Sequence, residues 1–201
     1  MNPQKRTDRA NDVFELALYI LAAVCFIYFW ARGIHFKMLQ PVLIVVVLTL
    51  IRLTVRWTRT ELFPALRFSI LFFITLTMFI ANLFGFYGVI PYLDKVEHLL
   101  SGIILCFVGL LIYKKTTEKD GVNRPSSGAA VWFALFFAAA MAGCWEIYEF
   151  TTDRIFGLHS QNDSLVDTMA DIICGDIGAA ATAVYLFRKA KRKQMPLIDV
   201  K

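Results

Sequence analysis

The sequence predicts an all-α integral membrane protein, a polytopic bundle of about six transmembrane helices. Three observations carry this reading. Apolar runs long enough to cross a bilayer recur along the whole chain. Of its 201 residues 58% are hydrophobic, and mean hydropathy is +0.58. The basic residues gather at alternate connections between the runs. A soluble domain of this length needs far more polar surface, so the apolar excess must face lipid.

A hydrocarbon core about 30 Å thick takes about 20 residues of helix. The runs then read as spans at residues 13–30, 39–55, 68–84, 96–113, 129–148 and 166–187. The first is a retained span, because no small-residue cleavage site follows Phe29-Trp30-Ala31-Arg32 and further spans come after it. The second and third are separated by a connection whose flanks carry Arg52, Arg56, Arg59 and Arg67. The fourth ends on Lys114-Lys115, and Ser127 is placed to cap the fifth. The sixth runs into the basic tail that starts at Arg188. The 18 Phe and 4 Trp suit lipid-facing and interfacial positions. All four cysteines sit inside apolar runs with no CxxC pair, which argues against a disulfide framework and a zinc knuckle. The whole chain, 1–201, is expected to be one membrane domain. Residues 11–90 form scaffold helices, 91–187 the motif-bearing helices, and 188–201 a basic cytoplasmic tail.

Charge gives the topology. Seventeen of the 21 basic residues fall on one side, leaving Arg32, Lys37, Lys95 and Arg154 on the other. The positive-inside rule places both termini in the cytoplasm. Basic residues beside a span serve anionic lipid, so membrane lipids are the expected partner and nucleic acid is not.

The acids are distributed the opposite way. Asp94, Glu97, Glu146, Glu149, Asp153, Asp163, Asp167, Asp171 and Asp176 fall on or toward the outer side. Ionisable groups near hydrocarbon are costly, so their concentration calls for a partner. At 1.5 Å per residue from each inner basic flank, His98, Glu146 and Asp171 all lie about 24–25 Å up their helices. Asp94, Glu149 and Asp167 lie at about 30–31 Å. Two matched layers follow, with each helix's pair sharing a face at i,i+3 or i,i+4. Asn82 falls near the deeper layer, and Asp153, Gln161 and Asp176 complete the polar surroundings.

Structural explanations compete. Asp94-x-x-Glu97 and Ser164-x-x-Asp167 resemble capping boxes, and Glu97 is assigned to capping alone. Glu146, Glu149 and Asp153 stand at a helix C-terminus, where the dipole disfavours negative charge, so capping does not account for them. Carboxylates with one imidazole suit a divalent cation such as Mg, Mn, Fe or Zn. The expected ligands are His98, Glu146, Glu149, Asp167 and Asp171, with Asp94 and Glu146 in catalytic roles. The rival is an ion-pair network closed by Lys95 and Arg154. Gly102, Gly143, Gly175 and Gly178 are expected to let the last three helices approach closely.

The run Asp94-Lys95-x-x-His98, then Trp145-Glu146-x-x-Glu149, then Gln161 with Asp167-Thr168-x-x-Asp171 and Gly178-Ala179, resembles the YjdF-like family of bacterial inner-membrane proteins. That resemblance covers residues 92–179 and implies a bacterial cytoplasmic membrane. A more distant likeness is to VanZ-like proteins, which implies a link to the cell envelope. The leading expectation is a divalent-metal site acting on a lipid head group or envelope precursor. An ion-coupled carrier, suggested by Asp176 near mid-membrane, and a non-catalytic envelope or stress-resistance protein are the alternatives.

Overall fold

The computed structural model describes residues 3–121, 125–162 and 164–198. Arg124, Asp163 and Lys201, which enter the charge distribution above, lie outside the described residues. Every regular element among the described residues is helical. Helix α1 is Pro3–Ala31, α2 Leu39–Thr58, α3 Pro64–Ile74, α4 Leu93–Lys119, α5 Ser127–Phe156 and α6 Leu165–Lys191. Short 3-10 turns occupy His35–Lys37 and Phe86–Gly88. Six helical segments are long and apolar enough to cross a membrane: Asp8–Ala31, His35–Thr58, Pro64–Leu83, Leu93–Lys119, Ser127–Phe156 and Leu165–Lys191. The all-α, six-span expectation therefore holds. Most helices outrun their apolar windows because polar end turns continue the helix beyond the length that hydrocarbon needs.

The chain divides into two compact units, Met1–Leu93 and Asp94–Lys201. In the first, Leu18, Ala22, Cys25 and Phe29 form the buried stripe of α1 against Ile44, Leu48, Leu71, Ile74, Phe79 and Leu83. Their spacing of three and four residues is that of one helical face. Leu16, Ile20, Val24 and Ile27 are exposed on the opposite side, as a lipid-facing surface requires. Buried Glu15 ties three helices together, 3.2 Å from Arg52 and 2.6 Å from Arg67. Helix α3 begins with Pro64 in its first turn, a position that needs no amide donor. It continues into a π-helix at Thr75–Leu83. There the hydroxyls of Thr75 and Thr77 donate to carbonyls four residues back, at 2.8 and 3.0 Å, and Phe84 N bonds Phe79 O five back.

In the second unit the core is Cys106 and Leu110 of α4, Ala130, Val131, Ala134 and Ala138 of α5, and Ala179, Ala183 and Leu186 of α6. Alanines four apart give α5 a flat face for close packing. The N-cap of α5 is Ser126, whose Oγ accepts from Ala129 N at 3.3 Å, one residue before the expected Ser127. Beyond α6 the chain turns back, and Met195 is fully buried in this core with Leu197 and Ile198 packed on it.

Glycines set the spacing of α4 and α6. A Cβ on Gly102 would fall on the carbonyl oxygen of Gly175, and one on Gly178 on that of Leu99. Gly109 plays the same part between α4 and α5, where a Cβ would sit 3.0 Å from Ala134 Cα. Gly143, expected to act likewise, has nothing within 4 Å of its Cβ position. It faces away from the packed side. Gly178→Ala should therefore lower thermal stability of the purified protein by the one to three kcal/mol or more typical of overpacking. Gly143→Ala should leave the unfolding curve nearly unchanged or slightly stabilise it. Equal melting temperatures for the two variants would contradict this account of the α4–α6 contact.

Candidate metal centre

The polar groups of the second unit come from three helix ends: the first turns of α4, the last turns of α5 and the first turns of α6. Close approach of α4 and α6 near Gly102 and Gly178 brings the α4 turn of Lys95 and His98 against the α6 turn of Asp167 and Asp171.

His98 Nε2 is the hub. Asp94 Oδ1 lies 3.6 Å from it, Asp171 Oδ1 3.7 Å and Glu146 Oε1 3.8 Å. These separations exceed hydrogen-bond length, yet three oxygens surround one nitrogen. Ligand atoms of Asp94, His98 and Asp171 all lie within 4.8 Å of one another. Glu146 and Asp171 are only 3% and 2% exposed. Glu146 Oε1 and Asp171 Oδ1 are shielded from solvent and take part in no hydrogen bond. Asp94, at 35% side-chain exposure, is the open member.

Lys95 supplies the positive charge. Its Nζ donates to Asp167 Oδ1 at 2.5 Å and to Asp94 Oδ2 at 3.3 Å. It also lies 2.7 Å from Asp171 Oδ1, a close ion pair without hydrogen-bond alignment. Arg154 takes no part in this network and lies over the Phe150 ring at 5.3 Å.

The α5–α6 connection folds over these groups. Gly157 ends α5 in the left-handed region at φ 65°. Asp153 then accepts from Ser160 N at 3.0 Å and Gln161 N at 3.1 Å. Held this way, Gln161 Nε2 donates to Glu146 O and Oε2, each at 3.1 Å. Asn162 Nδ2 donates to Asp167 Oδ2 at 2.8 Å. Each of two neighbouring amides thus grips one carboxylate and leaves its other oxygen for the centre.

The residues singled out from sequence divide accordingly. His98, Asp94, Glu146 and Asp171 converge, and Asp167 joins them through Lys95. Gln161 and Asp153 bear on the centre through the loop. Glu149 accepts from Trp145 Nε1 at 2.9 Å. Asp176 lies further along α6, with Oδ1 shielded and unbonded. Asn82 belongs to the first unit, where it accepts from Gln40 Nε2 at 2.7 Å. Asp94 lies in the first turn of α4, which starts at Leu93, and faces Lys95 and His98, while Glu97 is buried. The Ser164 cap is present, accepting from Asp167 N at 3.3 Å. Sequence reading missed Asn162. Its one signal was an amide side chain beside Gln161 in a short loop between two acidic helix ends.

The profile of the family described as "Predicted membrane protein (DUF2238)" matches residues 14–192, and this is the YjdF-like family of the motif resemblance. An uncharacterised protein of Thermotoga maritima is 30% identical over 105 residues, covering 52% of this chain and 53% of that one. The match thus spans about half the length of that curated relative. No solved structure matches. The distant VanZ-like resemblance finds no support in these comparisons.

Asp153→Ala should release the loop, raising amide hydrogen exchange at Ser160 and Gln161 while the core of α5 stays protected. Unchanged protection at those two amides would show that Asp153 does not hold the loop.

Proposed function

The chain belongs to the predicted membrane protein family (DUF2238), and we propose that the polar centre of its second unit binds a divalent cation. One observation carries the proposal: three carboxylate oxygens stand 3.6–3.8 Å from a single imidazole nitrogen. Two ligands each about 2.0–2.6 Å from a common ion stand roughly 3–4 Å apart. Asp94, His98 and Asp171, whose ligand atoms all lie within 4.8 Å of one another, would hold the ion, with Glu146 beside His98 as the next acid within reach, a mixed oxygen and nitrogen set suited to Mn, Fe or Zn. Charge supports the same reading. Asp94, Glu146, Asp167 and Asp171 oppose only Lys95 and His98, so negative charge remains in excess even with the imidazole protonated.

The centre stands at helix ends, beside exposed Trp145 and Tyr148, the residue types that mark a membrane–water interface. A phosphate-bearing lipid head group or envelope precursor is therefore the proposed substrate class. A bound ion would polarise a phosphoryl oxygen or acidify a water there. Asp94, the most accessible of these acids, would be the one placed to accept a proton. The basic-residue distribution supports placing both termini in the cytoplasm and this centre on the outer side of a bacterial cytoplasmic membrane. The second reading, a purely structural ion-pair network, is favoured by Lys95 and by a protonated His98 paired with the three carboxylates around it.

Metal loading separates the two. Chelation should lower the melting temperature of the purified protein by several degrees, and Mn2+ should restore it. Asp171→Asn should abolish that response. A flat response of the wild type to both treatments would reject the cation and leave the ion-pair network. Orientation has its own test, in a chain whose four native cysteines are replaced by serine. An impermeant thiol reagent applied to intact cells should label His159→Cys and spare Gly121→Cys. The reverse pattern would place the centre in the cytoplasm.

A further inference from the structure

Lys95 and His98 share a carboxylate oxygen. Asp171 Oδ1 lies 2.7 Å from Lys95 Nζ and 3.7 Å from His98 Nε2. It is the same oxygen that the proposed cation needs. Asp94 is shared too, with Oδ2 toward Lys95 and Oδ1 toward His98. The two lysine contacts on α6 differ in kind. The one to Asp167 Oδ1 is an aligned hydrogen bond at 2.5 Å, reinforced by the Asp167 carbonyl at 3.5 Å. The one to buried Asp171 is close but unaligned, and its oxygen has no hydrogen-bond donor. Asn162 holds the other oxygen of Asp167 at 2.8 Å, which keeps Oδ1 turned to the ammonium.

We infer that Lys95 is the specificity-determining residue of the centre: an internal ammonium that gives up Asp171 and is kept by Asp167 when a divalent cation enters. This rests on the cation reading above. The physical basis is competition of like charges for one set of oxygens in a poorly solvated place. A monovalent ion brings no more charge than the ammonium it would displace, so it gains nothing by entering. A divalent ion brings twice that charge and can also take the nitrogen of His98. Asp167 serves as the resting place for the lysine, one helical turn from Asp171 on the same face of α6. Entry and release of the ion therefore move a charged side chain over a short distance, with no helix motion required.

The test is Mn2+ affinity of the whole purified protein by calorimetric titration, in wild type, Lys95→Met, Asp167→Asn and the double variant. Lys95→Met should bind Mn2+ at least tenfold more tightly. Asp167→Asn should bind it more weakly, because the ammonium then has only Asp94 and Asp171 to hold. In the Lys95→Met background Asp167→Asn should have little effect, since its influence passes through the lysine. Exchanging choline chloride for sodium chloride at equal ionic strength should leave the wild-type titration unchanged and weaken that of Lys95→Met. Where Lys95→Met does not fold, Lys95→Gln removes the charge while keeping a donor for Asp167, with the same gain expected. Equal affinity of wild type and the lysine variant would overturn the inference and leave the cation site standing. So would an equal loss from Asp167→Asn in both backgrounds, which would make Asp167 a ligand, or sodium competition in the wild type. No Mn2+ binding by any variant would remove the cation reading itself.

Discussion

The approach of α4 to α6 at Gly102, Gly175 and Gly178 is the constraint on which the polar centre depends. Gly102 stands against the carbonyl oxygen of Gly175 and Gly178 against that of Leu99, leaving no room for a methyl group at either. In lipid there is little hydrophobic drive between helices, and tight van der Waals contact of small residues takes its place. Both helices leave this crossing with polar turns on the facing side. Lys95 therefore meets Asp167 and Asp171, and His98 meets Asp171, without any loop having to bring them together.

Burial explains why these charges are gathered and not dispersed. A carboxylate taken from water is tolerated only with compensating charge or hydrogen bonds. Asp167 has both, from Lys95 and Asn162. Glu146 has Gln161 on one oxygen only, and Asp171 has an unaligned ammonium. Compensation is thus complete at the edge of the centre and incomplete at its middle, where the least exposed oxygens face His98. The first unit handles a comparable problem differently. There Glu15 is held by two arginines from α2 and α3, and the result is a brace between three helices.

Much of this was legible in the residues. Apolar run lengths gave six spans because helix rise and bilayer thickness leave little freedom. The same rise placed His98, Glu146 and Asp171 at one depth, and these do meet. It also divided Asp94 from them as a second layer, a division the side chains erase. One helical turn is about 5.4 Å, within the combined reach of an aspartate and a histidine at i,i+4, so Asp94 and His98 join across it. Glu149 was matched in depth, but Trp145 one turn back offers an indole donor that the depth count does not contain. Depth follows from counting, whereas azimuth follows from partners the count does not contain. The loop amides were harder still. Nothing local tells which carboxylate Gln161 or Asn162 will face until Asp153 has fixed the turn. Gly143 was expected to matter and does not, and Gly109 was passed over and does, for the same reason: only the packed face of a helix makes a glycine matter.

The burial of Met195 bears on how the basic end of the chain can behave. Arg192, Lys193 and Gln194 form a turn clamped at both ends, by α6 before it and by a fully buried side chain after it. Three residues pinned in this way cannot sweep through solution as a flexible arm. The charges of Arg192 and Lys193 stay at a fixed height above the helix end, so any attraction for anionic lipid acts on the tilt and depth of α6 itself. The segment works as a mooring, not a tether.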